Sequence, residues 1–283
     1  MSNLKIMAWI IFLIPVIASA NVSEFELGNG LKLIVKEDHR APVVVSQVWY
    51  KVGSSYEHNG ITGLSHMLEH MMFKGTQHLE PNEFSKIIAK NGGDQNAFTG
   101  KDYTAYFQKL QKDRLEVSFK NEADRMRNLI IDPEELMKER EVVAEERRMR
   151  TDDNPIALLN ESFNAVAFVS SPYHHPVIGW MKDINNYQTT DLSAWYKKWY
   201  APNNATIVVV GDVKPSEVLT LTKRYFGHLN AEDKPVLKPQ TDIPQRGIRE
   251  VTVKAPAKLP YLMMGWKVPA INTSHTESNW EPY

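Results

Sequence analysis

Two short runs that set apolar among polar residues, Val22 to Leu27 and Leu31 to Lys36, flank Gly28-Asn29-Gly30. That turn can supply positive φ, so the pattern predicts a β-hairpin. Val43 to Val52, rich in β-branched and aromatic residues, predicts a third strand. The period then lengthens. A helix is expected from about Thr62 to Lys74, stopped by Gly75, and another from near Pro81 to the Gly92-Gly93 pair. Strands are expected at Gln95 to Phe98 and Tyr103 to Gln108, then a long helical region over 113–130. Asp132-Pro133-Glu134-Glu135 opens the next helix, with Asp132 as N-cap, Pro133 at the first helical position and Glu135 closing a capping box. Asp153-Asn154-Pro155 breaks the pattern, and further helices fall near 156–168, 190–200 and 215–227. Between the last two, Ala205 to Val210 reads as a buried strand ending at Gly211-Asp212. Strands and helices mix without regular βαβ alternation, so the expected class is α+β, an antiparallel sheet packed with helices on one side.

The ends carry different signals. Residues 1–20 hold one charge, Lys5, a short apolar run from Ile6 to Ile17, and the small-x-small site Ala18-Ser19-Ala20. This reads as a signal peptide, because twelve helical residues span about 18 Å against a bilayer core of about 30 Å. An uncleaved N-terminal anchor is the alternative. The expectation is an exported protein, periplasmic or secreted, with no membrane span after signal cleavage. Residues 21–230 form the expected main domain. Residues 231–249, with Pro235, Pro239 and Pro244, read as a linker. Beyond it, Glu250 to Lys254 and Leu262 to Val268 look like strands. Residues 250–283 are too few to bury a core unaided, so they add to the first domain or begin a second, incomplete one.

Composition narrows the chemistry. With 33 basic and 34 acidic side chains the chain has no global basic field, and nucleic acid is not an expected partner. The absence of cysteine removes disulfides, iron–sulfur clusters, thiolate zinc sites and a cysteine nucleophile. Nine histidines then become the candidate metal ligands, with carboxylates as partners.

The decisive segment is Gly63-Leu64-Ser65-His66-Met67-Leu68-Glu69-His70. His66 and His70 are four residues apart, so a helix projects both imidazoles from one face, and Glu69 shares that face. Two imidazoles can take two corners of a tetrahedral zinc site and leave Glu69 close to a bound water. This is H-x-x-E-H, the inverted form of a zinc peptidase signature. Read without a metal, it is a helix face carrying two solvated histidines. A third ligand is needed, and the helix opened by Asp132 offers carboxylates. Glu139, Val142, Val143 and Glu146 fall on one stripe, which the two valines suggest is buried. The alternative is a solvated charge run through Glu145, Glu146, Arg147 and Arg148. Spacing does not choose between Glu145 and Glu146. His174-His175 is a weak ligand pair, since adjacent residues seldom face one site. Trp180, Trp195 and Trp199 are expected in core or interface.

Several ordered motifs add to this. Gly63 through Gly75-Thr76, Gly92-Gly93-Asp94-Gln95-Asn96-Ala97-Phe98-Thr99, Glu139-Arg140 through Glu146, Pro176 to Gly179, and Tyr200 to Ala205 ending at Gly211-Asp212 occur in sequence. Together they resemble the pitrilysin/insulinase/mitochondrial-processing-peptidase family of inverzincins, in particular its short bacterial members. The resemblance implies one zinc ion per chain, held by His66, His70 and Glu146, with Glu146 placed 76 positions after His70. It implies Glu69 as general base, and Glu139 as a candidate support of the ligands or of the cleft. It also implies that an extended peptide pairs with this strand, with Gly92, Gly93, Asn96 and Ala97 as the substrate-binding residues: the glycines admit a close backbone and Asn96 can hydrogen-bond the peptide main chain.

Complete members of that family close two homologous halves around the substrate, and the second half brings an arginine and a tyrosine to the scissile bond. Only the opening of such a half is recognisable here. Two functions are therefore expected in competition. One is a zinc endopeptidase for unfolded peptides. The other is a non-catalytic peptide-binding or assembly subunit, or a half that needs a second homologous subunit or a homodimer.

Overall fold

The structure, a computed structural model, describes residues 22–235, 240 and 242–268. The expected signal peptide lies outside the described residues, as do parts of the expected linker and of the segment after it. The expected hairpin forms from β1 (Val22–Glu26) and β2 (Lys32–Glu37). Then come β3 (Val43–Tyr50), α1 (Leu64–Met71), α2 (Glu83–Lys90), β4 (Asp94–Thr99) and β5 (Thr104–Gln111). The helices α3 (Leu115–Asn128), α4 (Pro133–Arg147) and α5 (Pro155–Ala167) follow, with one π-helical segment, Arg148–Asp152, between the last two. The chain continues through α6 (Met181–Ile184), α7 (Thr189–Trp199), β6 (Ala205–Gly211) and α8 (Pro215–Phe226).

The six strands form one sheet in the order β1-β2-β6-β3-β5-β4. Every pairing is antiparallel except β2 with β6, which is parallel. The sheet is therefore mixed rather than wholly antiparallel, because β6 returns from far along the chain to fill the gap between β2 and β3. Burial alternates strictly along β3, with Val44, Ser46, Val48 and Tyr50 inward, and along β6, with Ala205, Ile207 and Val209 inward. A slip of one residue would turn these side chains to the other face, so the register is firmly specified. Against the inward face, α1, α3 and α8 pack in a single core with Leu33, Met67, Leu68, Phe119 and Phe226.

One buried charge pair sits in that core. Arg125 Nε donates to Glu122 Oε2 at 2.8 Å, and Gln108 Nε2 donates to Glu122 Oε1 at 2.6 Å. The Arg125 guanidinium lies 4.3 Å from the Tyr106 ring centroid and 4.7 Å from that of Phe84. The pair thus ties α3 to β5 and to the residues around α1 and α2.

The strands expected at Glu250 to Lys254 and Leu262 to Val268 do not form. A strand needs a neighbour for its backbone N–H and C=O groups, and no partner strand is present among the described residues. Leu259, Leu262, Met264 and Trp266 are exposed as a result. The segment is instead tied back through Lys267, which pairs with Asp242, and the stretch before it is anchored as well. Asp242 accepts from the N–H groups of Val169, Ser170 and Ser171 at 2.9, 2.7 and 3.2 Å, and Arg249 donates to the Ala167 carbonyl at 2.5 Å. Among the described residues no helix is long and apolar enough to cross a membrane.

Removing one charge of the buried pair leaves the other uncompensated. Glu122→Gln is expected to lower the unfolding free energy by about 3–5 kcal/mol in urea titration. A midpoint equal to that of the parent protein would show that Arg125 finds other compensation.

Candidate metal centre

The helix that carries the H-x-x-E-H motif begins without a capping side chain. Gly63 precedes it in the left-handed region, at φ 83°. The carboxylate of Glu57 replaces the missing cap. Gly63 N–H donates to Oε2 at 2.6 Å and Ser65 N–H to Oε1 at 2.7 Å. Burial pushes this carboxyl up to about 7, against the pull of the two amides. Gly63 is required by contact as well as by φ. A Cβ there would lie 2.3 Å from the Ile178 carbonyl oxygen, and one on Gly179 would lie 2.2 Å from that of Thr62. Asp183 completes the anchor, accepting from Gly60 N–H, Thr62 N–H and the Thr62 hydroxyl at 3.1, 3.2 and 2.6 Å.

Held in this way, α1 buries Leu64, Met67, Leu68 and Met71 and turns His66, Glu69 and His70 toward α4. Glu146, in the last turn of α4, meets both imidazoles. Its Oε2 is 3.6 Å from His66 Nε2 and 3.5 Å from His70 Nε2. Among the described residues these three side chains form a group whose donor atoms lie within 4.8 Å of one another. Two imidazole nitrogens and one carboxylate oxygen at such separations suit an ion bound at about 2.0–2.2 Å. Glu145 points elsewhere, paired with Arg148 at 2.7 Å in an exposed position.

Neighbouring groups orient the donors. His70 Nδ1 is 2.8 Å from Glu139 Oε1, and Glu139 Oε2 is 2.5 Å from Lys74 Nζ. An ionised carboxylate only accepts, so His70 Nδ1 carries a hydrogen and Nε2, which faces Glu146, is the atom that a metal would take once its proton is displaced. Arg150, in the π-helical segment, lies 2.8 Å from Glu146 Oε1. His66 Nδ1 is buried without a partner among the described residues.

Charge states follow from these contacts. Burial opposes the charged form of His70, but Glu139 and Glu146 outweigh it and push the imidazole up to about 9. Burial and the neighbouring His70 hold His66 well below the usual histidine range. Glu146 is lowered by His70. Glu69 is raised by burial, against a hydrogen bond from Thr99.

The donors open onto a cleft of about 1150 Å³ lined by α1, α4, α5, the 174–178 segment and β4. Val142, expected in the buried stripe of α4, is instead 50 % exposed and lines this cleft, while Val143 is fully buried. The two sit on adjacent sides of the helix, and only one side meets the core. Strand β4 is a sheet edge. Gly100 N–H donates to the Tyr103 carbonyl, so the hairpin ladder places the hydrogen-bonded positions of β4 at Phe98 and Asn96. Ala97 therefore turns its N–H and C=O to the free edge, where the N–H is met by Asn96 Oδ1 at 2.8 Å. Asn96 and Ala97 line the cleft; Gly92 and Gly93 do not. Gly92 takes φ 68° after α2, and a Cβ on Gly93 would lie 2.8 Å from the Lys109 carbonyl oxygen, so both serve the entry into β4. His174 and His175 lie in the cleft wall, apart from the three donors. His174 Nδ1 is 2.7 Å from the Ser171 carbonyl oxygen and His175 Nε2 is 3.2 Å from Asn59 Oδ1. Trp195 and Trp199 are core residues, and Trp180 is half-buried beside Arg147.

Comparison with known proteins agrees with this geometry. The profile of Insulinase (Peptidase family M16) matches residues 32–179. The chain belongs to the M16 peptidase family. A second profile, Peptidase M16 inactive domain, matches residues 186–279. Its start precedes β6, which is hydrogen-bonded between β2 and β3, so one continuous sheet draws strands from both matches. Zinc protease PqqE of Helicobacter pylori is 41% identical over 248 residues, covering 86% of this chain and 56% of that protein. A mitochondrial-processing peptidase subunit beta of Arabidopsis thaliana is 26% identical over 73% of this chain and 39% of its own. Among solved structures, a protease from Helicobacter pylori superposes with a TM-score of 0.75 at 39% identity, covering 79% of this chain and 54% of that one. The first half of the periplasmic protease PqqL from Escherichia coli superposes at 0.72 with 25% identity, covering 78% of this chain and 49% of that one. The chain thus spans about half the length of the curated relatives it matches.

Glu57, Asp183, Arg150 and Thr99 shape this M16 site without having been singled out by pattern. Each acts through a fold-dependent contact, and only Thr99 sits inside a motif.

Metal must displace the proton that the raised pKa keeps on His70. Zinc affinity is therefore expected to rise about tenfold per pH unit between about pH 6 and 9, with about one proton released per ion at neutral pH. Titration in weakly buffered solution measures both, and a pH-independent affinity would show His70 already neutral. Glu139→Gln is expected to weaken zinc binding by about 10–100-fold through the loss of His70 orientation.

Proposed function

We propose that the chain carries the site of a zinc-dependent endopeptidase acting on extended, unfolded peptides, with one zinc ion per chain held by His66, His70 and Glu146. The observation that carries this reading is the meeting of those three donors beside Glu69, on a cleft whose wall includes a free strand edge. When bound, zinc supplies Lewis acidity and lowers the pKa of a water to about 7. Glu69 takes the proton of the attacking water and delivers it to the leaving amine, and the burial that raises its pKa makes it a better acceptor than a solvated carboxylate. The peptide adds to the edge of β4, where its carbonyl replaces Asn96 Oδ1 at the Ala97 N–H. Gly92 and Gly93 contribute by setting the start of that strand.

Closure over the cleft is assigned to a second homologous unit, in a longer chain, a partner subunit or a second copy. The half-length coverage of the relatives supports this, and it also keeps open a reading in which this half alone binds peptide without turning it over. Export to the periplasm or beyond is supported by the residue pattern of 1–20 and by the periplasmic protease PqqL among the structural neighbours.

Cleavage of a quenched, unstructured peptide tests the reading. Glu69→Gln is expected to keep zinc and lose turnover by about 10²–10⁴-fold, whereas Glu146→Gln loses the metal. Undiminished zinc in Glu146→Gln would remove that ligand. An inactive but zinc-loaded parent protein would favour the half that needs its second unit.

A further inference from the structure

Thr99 closes β4 and reaches the candidate base. Its hydroxyl lies 2.5 Å from Glu69 Oε2, and this is the one hydrogen bond to the Glu69 carboxylate among the described residues. The direction of the bond is fixed by proton count. An ionised carboxylate has no hydrogen to give, so Thr99 donates. The competing acceptor is Thr104 Oγ1 at 3.5 Å, well beyond the separation at which a hydroxyl bond is strong. Thr104 commits its own hydrogen to the Val52 carbonyl at 3.0 Å and is fully buried. The Thr99 hydrogen therefore has one good destination.

The terminal torsion of a glutamate is broad and roughly two-fold, so packing of α1 alone does not decide which carboxylate oxygen faces the cleft. Thr99 does. With Oε2 engaged, Oε1 is the oxygen left to take a proton. Thr99 also lies two residues beyond Ala97, and β-strand alternation gives it the same free-edge backbone orientation.

We propose that Thr99 is a positioning residue of this site: its hydroxyl selects the carboxylate oxygen of Glu69 that faces the scissile bond and ties the base to the strand edge that receives the peptide. A peptide that pairs with β4 in the wrong register would shift the same strand end that orients the base. This inference rests on the reading of Glu69 as general base.

The test compares parent protein, Thr99→Val, Thr99→Ser and Glu69→Gln. Valine keeps the β-branched shape and removes the donor; serine keeps the donor. Zinc content is measured with the affinity for a peptide hydroxamate, which needs the base as a hydrogen-bond partner, and for the same peptide ending in a plain amide. Neither measurement requires turnover. Thr99→Val is expected to keep zinc and amide-peptide binding while losing about tenfold in hydroxamate affinity, a difference of about 1.4 kcal/mol. Serine is expected to restore it to within about twofold. Where the protein turns over, kcat falls by at least about tenfold in Thr99→Val at unchanged KM. Parent-like hydroxamate binding in Thr99→Val, or serine no better than valine, overturns the proposal. If Glu69→Gln binds hydroxamate as the parent does, the base assignment itself fails. A parent protein that takes up no zinc overturns both.

Discussion

The N-terminus of α1 must be fixed although it lies between a glycine and a cleft. A helix that opens on Gly63 has no side chain to satisfy its first amides, and the buried Glu57 carboxylate takes that place. The Gly63–Gly179 approach then brings the loop before α1 against the segment that leads into α6, with Asp183 locking the pair. Arg147 extends the lock by donating to the Gly179 carbonyl at 2.9 Å and to Glu161 on α5 at 2.7 Å. One end of α1, the end of α4 and the wall of the cleft are thereby set by a single connected group of polar contacts. Without them the two imidazoles would still share a helix face, but nothing would hold that face at Glu146.

The site concentrates more carboxylate than imidazole in a poorly solvated place. Glu69, Glu139 and Glu146 crowd two histidines, with Lys74 and Arg150 as lateral counter-charges. Such an excess of acceptors is costly in a low-dielectric setting unless cations are present. A proton on His70 serves in the free protein, and a divalent ion is the stronger alternative. The same geometry separates roles among the acids. Glu146 faces both ring nitrogens and Glu139 faces the far side of His70, whereas Glu69, among the described residues, accepts a hydrogen bond from the Thr99 hydroxyl alone.

Much of the fold was legible because burial imposes period. The β-branched and aromatic content of Val43 to Val52 and the apolar run of Ala205 to Val210 identified two strands, which the structure places centrally with alternating burial, and Asp132-Pro133 marked the start of α4, where Asp132 accepts from the N–H groups of Glu134 and Glu135. The strands expected after Glu250 were not realised. Their local pattern suits a strand, yet a strand is completed by a neighbour that lies elsewhere in the chain, and none pairs with them among the described residues. Val142 was misplaced for a related reason. On α4 the core meets the side that carries Val143 and Ala144, Val142 lies a step round the helix toward the cleft, and the pattern does not say where the core's edge falls.

By itself the sequence determined what depends on short range. Four-residue spacing put His66 and His70 on one helical face with Glu69, and the order of motifs identified the peptidase lineage. Tertiary structure decided which carboxylate on α4 meets them, which strand forms the exposed edge, and how Glu57, Thr99 and Arg150 hold the parts in place. The reason is physical. Helical and strand periods are set by covalent geometry within a few residues, so they can be read locally. A contact across dozens of positions depends on where packed elements stop, and that is fixed only when the whole core closes.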